Sequence, residues 1–490
     1  MLRKTLLTCS ISLACSTSLG TLLAQNAPPV QQSADFKGVV RKNVAPVSND
    51  VLRVKFPKPS ESKLKNGMAL MVLEDHRSPT IDVEISMPAS SLNNPRELAG
   101  LPDATTALLR LGTKTRTSLQ IASTLQELGA SLNAGIGEKT ASFRFSTLSE
   151  NLDQVLDLLA DIMFNPSFPQ DELDKWKDRQ LSQLQQIRAQ PAFLGQERFF
   201  AVMYPNDNRS IVAPTPESIR KITRDGIVDY YKQNFRPEGG RVAVSGDISA
   251  KEIAAKLNKT LGDWKGSAPK PPELPLPGSI AGKKIYLINR PNSVQSNVYI
   301  GNLALDRLNP DYIPVMVMNQ VLGGGPASRL FRNIREEKGY TYGISSGFGA
   351  SHYINYFVLQ TSVRTEVTGP ALEEIFKELR DIRDRPVPAD ELGLAERAMV
   401  ANFALSTENS ANALRNATTI KEYGFPADYW DTYPEKISKV TAEDVQRVAR
   451  KYIPVDNAQI IVIGDAPKIT EALAKFGPIE TWDSDGHLVK

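Results

Sequence analysis

The sequence predicts an α+β chain of two homologous halves, each a mostly antiparallel sheet with helices packed on one face, joined by a Pro-rich linker. Three observations predict it. Two long segments close alike: "YYKQNFRPEGGRVAVSGDI" (Tyr230–Ile248) matches "VARKYIPVDNAQIIVIGDA" (Val448–Ala466), a helix end leading through Pro into an apolar strand closed by Gly-Asp. Their middles match too, "QELGASLNAGIG" facing "EEKGYTYGISSG", each leaving a helix through Gly129 or Gly339 into a strand. Strands and helices come in runs rather than strict alternation, which argues α+β, and repetition at this length means duplication rather than a solenoid.

Taken in order, residues 1–24 read as a signal peptide. Arg3 and Lys4 precede the apolar, Ser/Thr-diluted "TLLTCSISLACSTSLGTLLA", and Ala24 offers a small-residue cleavage site. Residues 25–57 form a linker rich in Pro, Gln and Ser. The first half spans 58–265. Residues 266–282, within "KGSAPKPPELPLPGSIAGKK", are a Pro-rich extended linker, and the second half spans 283–490. In each half a strand ("TASFRFSTLS" or "YINYFVLQTSV") is followed by a long amphipathic helix, 150–163 or 369–382. Two such halves are expected to face one another across a cavity.

The composition narrows the function. Of 490 residues, 41% are hydrophobic and 23% charged, a globular balance, and Lys plus Arg total 58 against 55 acids. A formal +3, falling to about +1 once the leader is removed, excludes an electrostatic case for nucleic acid or an anionic membrane. No stretch after the leader has the ~20 apolar residues of a membrane span. A periplasmic or otherwise exported protein is expected. Both cysteines, Cys9 and Cys15, lie in the leader, so the mature chain holds neither disulfide nor thiol chemistry. Acylation of Cys15 after "SLA" is the alternative, although the preceding residues fit a lipid-anchor signal poorly.

Two stretches invite a chemical reading. "GLPDATTALLRLGT" (Gly100–Thr113) is a turn and then a helix, with Pro102 early and Asp103 at its N-terminus. Its exposed side is expected to carry Asp103, Thr105 and Thr106. "FRNIREEKGYTYGISS" (Phe331–Ser346) sets Arg335 at a helix end and Tyr342 on the following strand, seven residues apart. Counting from the two glycines puts Leu132 of the first half opposite Tyr342, and strand alternation puts Tyr340 on the face of Tyr342. The glycine-rich "LGGGPASRLF" lacks the Gly-Lys-Ser/Thr of a phosphate loop and is expected to join two helices. The three histidines, His76, His352 and His487, are scattered, and His76 in "LEDHRSP" reads as solvated surface, a zinc site built from it and distant carboxylates being the weaker alternative.

These stretches, with "LGASLNAGIGEKTASFRFSTLSENLDQVLDLLADIMFNPSFPQDEL", give essentially the whole mature chain a resemblance to the pitrilysin/insulinase-type zinc peptidases and their non-catalytic relatives. In catalytic relatives the helix at Gly100 carries H-x-x-E-H: two His four apart reach one zinc ion, and the Glu activates water. The resemblance lays the first His on Asp103, the Glu on Thr106, the second His on Ala107, and a further Glu ligand on Ser182 or Gln183. All four roles are vacant, so no metal or cofactor is expected in this chain. In the bacterial two-part members a non-zinc subunit supplies an Arg and a Tyr seven apart, and Arg335 and Tyr342 match that spacing. A guanidinium and a phenol both donate to a carbonyl oxygen as it becomes an oxyanion.

The resemblance thus implies a subunit predicted inactive alone, paired with an H-x-x-E-H homologue that carries the zinc and acting with it on peptides. The alternative is a non-catalytic peptide-binding or structural scaffold of the same fold. A self-sufficient hydrolase lacks support: no Gly-x-Ser-x-Gly elbow, no mature cysteine and few histidines. An edge strand is expected to hold peptide by β-augmentation.

Overall fold

A computed structural model describes residues 52–205 and 207–489; the expected signal peptide, with Cys9 and Cys15, and most of the linker after it lie outside them. In the first half β1 (Ser60–Lys63), β2 (Ala69–Glu74) and β3 (Thr80–Pro88) precede α1 (Leu101–Leu109) and α2 (Ser118–Glu127). The hairpin β4 (Ser131–Ile136)–β5 (Thr140–Leu148) leads to α3 (Leu152–Phe164), α4 (Gln170–Arg188), α5 (Pro191–Met203), α6 (Pro216–Lys221) and α7 (Arg224–Asn234). Strand β6 (Arg241–Gly246) and α8 (Ala250–Leu261) follow.

The second half repeats the plan. It runs β7 (Lys284–Asn289), β8 (Gln295–Leu303), α9 (Tyr312–Leu322), a π-helix (Phe331–Glu337), β9 (Thr341–Phe348) and β10 (Tyr356–Arg364). Helices α10 (Thr368–Asp384), α11 (Ala389–Ser406), α12 (Ser410–Tyr423), α13 (Tyr433–Ser438) and α14 (Ala442–Tyr452) precede β11 (Gln459–Gly464), α15 (Ala466–Leu473) and β12 (Ile479–Trp482). Local chemistry repeats with the plan: Thr223 caps α7 and Thr441 caps α14, each hydroxyl accepting a backbone N–H three residues on.

The sheets are ordered β1-β2-β6-β3-β5-β4 and β12-β7-β11-β8-β10-β9. Five strands correspond, with β2–β6 and β7–β11 parallel and the β3, β5, β4 and β8, β10, β9 ladders antiparallel. The sixth differs: β1 joins β2 antiparallel, whereas β12 joins β7 parallel. Alternation sets the inner faces. Ala141, Phe143 and Phe145 of β5 turn into a core with Leu159 and Ile162, as Phe357 and Leu359 of β10 do with Leu372 and Ile375. Each of these Phe, Leu and Ile side chains contributes roughly 1.5–3 kcal/mol by burial.

Helices of its own half cover one face of each sheet, as the pattern predicts. The halves face one another across a cavity lined by Lys139, Arg241, His352 and Glu422, but they also meet directly. Helix α5 of the first half lies on β8 and β11 of the second sheet, and α12 of the second lies on β6 and β2 of the first. Periodicity shows that a helix has an apolar stripe but not which sheet receives it. Gly195 permits the first contact, since a Cβ there would sit 2.3 Å from the Tyr299 ring. Under α12, Phe403 stacks with Trp430 and Phe56, with ring centroids 5.4 and 6.4 Å away. Phe56, expected in a linker, is thus buried at the junction. The Pro-rich segment between the halves has no regular structure and is strapped down, Arg209 donating to the Pro275 carbonyl at 3.0 Å. No helix among the described residues is long and apolar enough to cross a membrane.

Candidate functional site

Helix α1 begins at Gly100, whose φ of 94° and 3.1 Å clearance to Pro214 require glycine. Its face departs from the sequence expectation. Asp103 is open to water, but Thr105 and Thr106 are buried, their hydroxyls donating back to the Leu101 and Asp103 carbonyls at 2.8 and 3.0 Å. Hydroxyls so satisfied pack inside a helix as small apolar groups do, which hydropathy does not reveal. Ala107 is half-buried, and Ser182 and Gln183 on α4 are exposed. Although its edge reaches water, the protein packed around the Asp103 carboxyl desolvates it and raises its pKa from the ordinary range.

Zinc at this helix requires imidazole or carboxylate donors converging on one point. An acid, a threonine, an alanine and a serine or glutamine do not fit it. Among the described residues no group of three His, Cys, Asp or Glu side chains could hold a metal ion. His76 is exposed as expected, 2.7 Å from Asp247, whose carboxylate raises its pKa. His352 stacks on Tyr423 at 4.2 Å, and His487 lies 3.1 Å from Asp483.

Sequence reasoning missed Arg110. At the C-terminal end of α1 it donates to the Leu132 carbonyl of edge strand β4 at 2.7 Å, while its buried Nε has no partner. Burial, with no carboxylate to offset it, pulls this guanidinium below its usual range.

In the second half the glycine run joins α9 to the helical turn before the π-helix, as expected. Gly323 lets β9 approach closely: a Cβ would meet Ser346 Oγ at 2.3 Å. The π-helix sorts its charges. Arg329 makes a two-pronged pair with Glu391 at 2.9 and 2.7 Å, and Arg332 reaches the same carboxylate. Asn333 donates to Glu374 and Glu378. Arg335, at the end of this helix, is exposed, lies 4.6 Å from the Phe331 ring centroid, and has no ion-pair partner among the described residues. Gly339, at φ 62°, turns the chain into β9, where Tyr342 is 90% exposed. An aromatic ring that open is not there for the core.

The β9–β10 ladder corrects two expectations. Ile344 pairs with Thr361 and Thr341 with Val363, so Tyr342 and Gly343 together oppose Ser362: a β-bulge. In the first half β4 and β5 pair without a shift, Leu132 opposite Phe145. The ladder therefore matches Leu132 to Ile344, both buried, rather than to Tyr342, which occupies the bulge and has no single counterpart. Tyr340 does not share the face of Tyr342 either. It precedes β9 and packs against the second core. Counting residues from a glycine cannot detect an inserted one.

A duplicated α+β chain of two six-stranded sheets, with Asp103, Thr106 and Ala107 along α1 and with Arg335 and Tyr342 exposed in the second half, has the build of the peptidase-related proteins. The sequence matches the family described as insulinase (peptidase family M16) over residues 70–214 and the peptidase M16 inactive domain over residues 221–399. The chain belongs to the M16 peptidase family, its inactive-domain match running from the end of α6 into α11. It is 23% identical to the non-peptidase homolog YmxG of Helicobacter pylori, over 81% of this chain and 91% of that protein. It is 22% identical to the uncharacterized zinc protease YmxG of Bacillus subtilis, over 81% and 96%. Among solved structures, the peptidase M16 inactive domain from Pseudomonas fluorescens matches with a TM-score of 0.76 at 23% identity, covering 83% of this chain and 98% of that one. A protease from Helicobacter pylori matches at 0.75 and 18%, covering 84% and 100%.

Proposed function

We propose that this chain is the exported, non-zinc subunit of a heteromeric metallopeptidase, contributing Arg335 and Tyr342 to a homologous partner that bears H-x-x-E-H. The observation carrying this reading is an exposed Arg335 guanidinium with no ion-pair partner among the described residues and, seven residues on, a tyrosine that a bulge turns into solvent, in a chain with Asp103, Thr106 and Ala107 at the motif positions. The partner's zinc would polarise the scissile carbonyl and supply the attacking water. Arg335 and the Tyr342 hydroxyl would donate to the carbonyl oxygen as negative charge develops, interactions stronger in the transition state than with the ground-state peptide.

Edge strand β4 supports a peptide ligand. "SLNAGI" carries no charge or proline, the usual guards of an open edge, whereas the opposite edge, β1, is short and bears Glu61 and Lys63. An extended peptide can add to it by backbone hydrogen bonds, with weak sequence selectivity. The Helicobacter relative, a non-peptidase homolog, favours the second reading, a scaffold of the same fold without a part in hydrolysis.

Mixing separates the two. The purified chain alone should leave unstructured peptides intact and should support chelator-sensitive cleavage once an H-x-x-E-H homologue from the same organism is added. Equal cleavage by that homologue with and without this chain supports the scaffold. Chelator-insensitive cleavage by the chain alone contradicts both.

A further inference from the structure

We propose that Thr341 is a positioning residue that locks the β9 bulge and thereby holds Tyr342 outward; this rests on the reading of Tyr342 as a donor. Ile344 and Ser346 of β9 are buried, so regular alternation would send Tyr342 inward with them. The extra residue breaks that alternation and leaves the ladder locally unpaired, which strands backbone groups that need partners.

One side chain supplies those partners. The Thr341 hydroxyl lies 2.7 Å from the carbonyl of Ser362, the residue facing the bulge, and donates its single proton there. Its oxygen accepts the Gly343 N–H at 3.1 Å. The Thr361 hydroxyl donates to the Gly343 carbonyl at 2.9 Å and stands 3.0 Å from Thr341 Oγ1. Both backbone groups of Gly343 and the Ser362 carbonyl are thus satisfied by two threonines. The first half shows what happens without them. Phe145 takes the ladder position of Thr361, no hydroxyl faces the strand there, and the β4–β5 pairing is regular.

The geometry separates the roles of neighbouring residues. Tyr342 would touch the substrate, while Thr341, half-buried and bonded only to its own sheet, would act through it. Thr341→Val keeps the β-branched shape and removes only the hydroxyl; Thr341→Ser keeps the hydroxyl.

Two measurements on the full mature chain test the brace without activity. Amide exchange at Gly343 should be roughly 2- to 10-fold faster in Thr341→Val, the loss of one net hydrogen bond, and near wild type in Thr341→Ser. Nitration of Tyr342, followed by peptide mapping, should slow in the valine variant and recover in the serine variant. Wild-type exchange and nitration in Thr341→Val would overturn the proposal, as would a serine variant as perturbed as the valine one. In the reconstituted complex Thr341→Val should lower kcat on the order of 10-fold with KM unchanged, and add nothing to Tyr342→Phe. Loss of equal size on the Tyr342→Phe background would also overturn it. Wild-type turnover by Tyr342→Phe, with fast Gly343 exchange in Thr341→Val, would remove the donor role of Tyr342 and leave the brace standing.

Discussion

The two halves share a plan and diverge where chemistry is at stake. In the first, an α-helix, α2, passes through Gly129 into a regular hairpin, and Leu132 turns into the core. In the second, a π-helix passes through Gly339 into a bulged strand, and Tyr342 turns out. Both irregularities flank Arg335 and Tyr342. Regular geometry in one copy of a duplicated fold is the reference against which re-aimed side chains in the other stand out, and π-turns and bulges are the means of re-aiming them. On the proposed reading α1 is the converse, a regular helix whose Asp103, Thr106 and Ala107 stand where catalytic relatives carry the metal motif.

The largest expected effect concerns what makes the halves one molecule. Trp430 is buried beneath α12 and donates to the Asn416 carbonyl at 2.6 Å. Trp430→Ala should lower stability by about 3–5 kcal/mol in chemical denaturation. An effect under about 1 kcal/mol would mean that the α12 contact is not what joins the halves.

Next comes the contrast between the half with exposed donors and the half without metal ligands. In the proposed complex with an H-x-x-E-H homologue, Arg335→Ala or Tyr342→Phe should each lower kcat on the order of 10²–10³, or ~3–4 kcal/mol, without preventing assembly. Gln183→Ala should leave turnover unchanged. Tyr340→Phe is the matching control, since its ring packs on the core. Loss of turnover from Gln183→Ala, with none from Tyr342→Phe, would reverse the assignment of the halves.

A smaller effect distinguishes how each half holds a buried carboxylate. Asp161 is surrounded by the hydroxyls of Thr113 and Thr115, the Arg116 guanidinium and the Asn165 amide. Asp311 of the second half meets Arg447 at 2.6 Å, Lys451 at 2.9 Å and the Tyr452 hydroxyl at 2.8 Å. Burial alone would raise its pKa, but these hydrogen bonds outweigh it and hold it at about 2. A depressed carboxylate stabilises the fold above its unfolded value near 4 and ceases to do so as pH falls through 2. Asp311→Asn should therefore lose about 1–2 kcal/mol at neutral pH, allowing for the solvent that screens Arg447 and Lys451, with the deficit shrinking between pH 4 and 2. A deficit independent of pH would assign the loss to packing.

The duplication and the order of elements were legible because they rest on periodicity, turn residues and spacing. The repeated Gly-Asp strand ends and the Gly129 and Gly339 turns all stand at corresponding places in the fold. What was not legible depends on partners distant in the chain. Nothing local shows that α5 and α12 cross to the opposite sheet, that Thr105 and Thr106 satisfy their hydroxyls inside α1, or that Arg110 meets Leu132. Alternation put Tyr340 and Tyr342 on one face because a bulge is a property of two strands, and one strand read alone does not contain it. The threonines at 341 and 361 were the available signal, two hydroxyls where a neighbouring copy has an apolar residue.

The central claim is that this chain has kept the metal-bearing helix of its family without the metal. Zinc content of the purified chain, measured by elemental analysis after dialysis, tests it most directly. The expected result is no stoichiometric zinc, and no change on Asp103→Ala. One tightly held zinc per chain, released by Asp103→Ala or Gln183→Ala, would contradict the account.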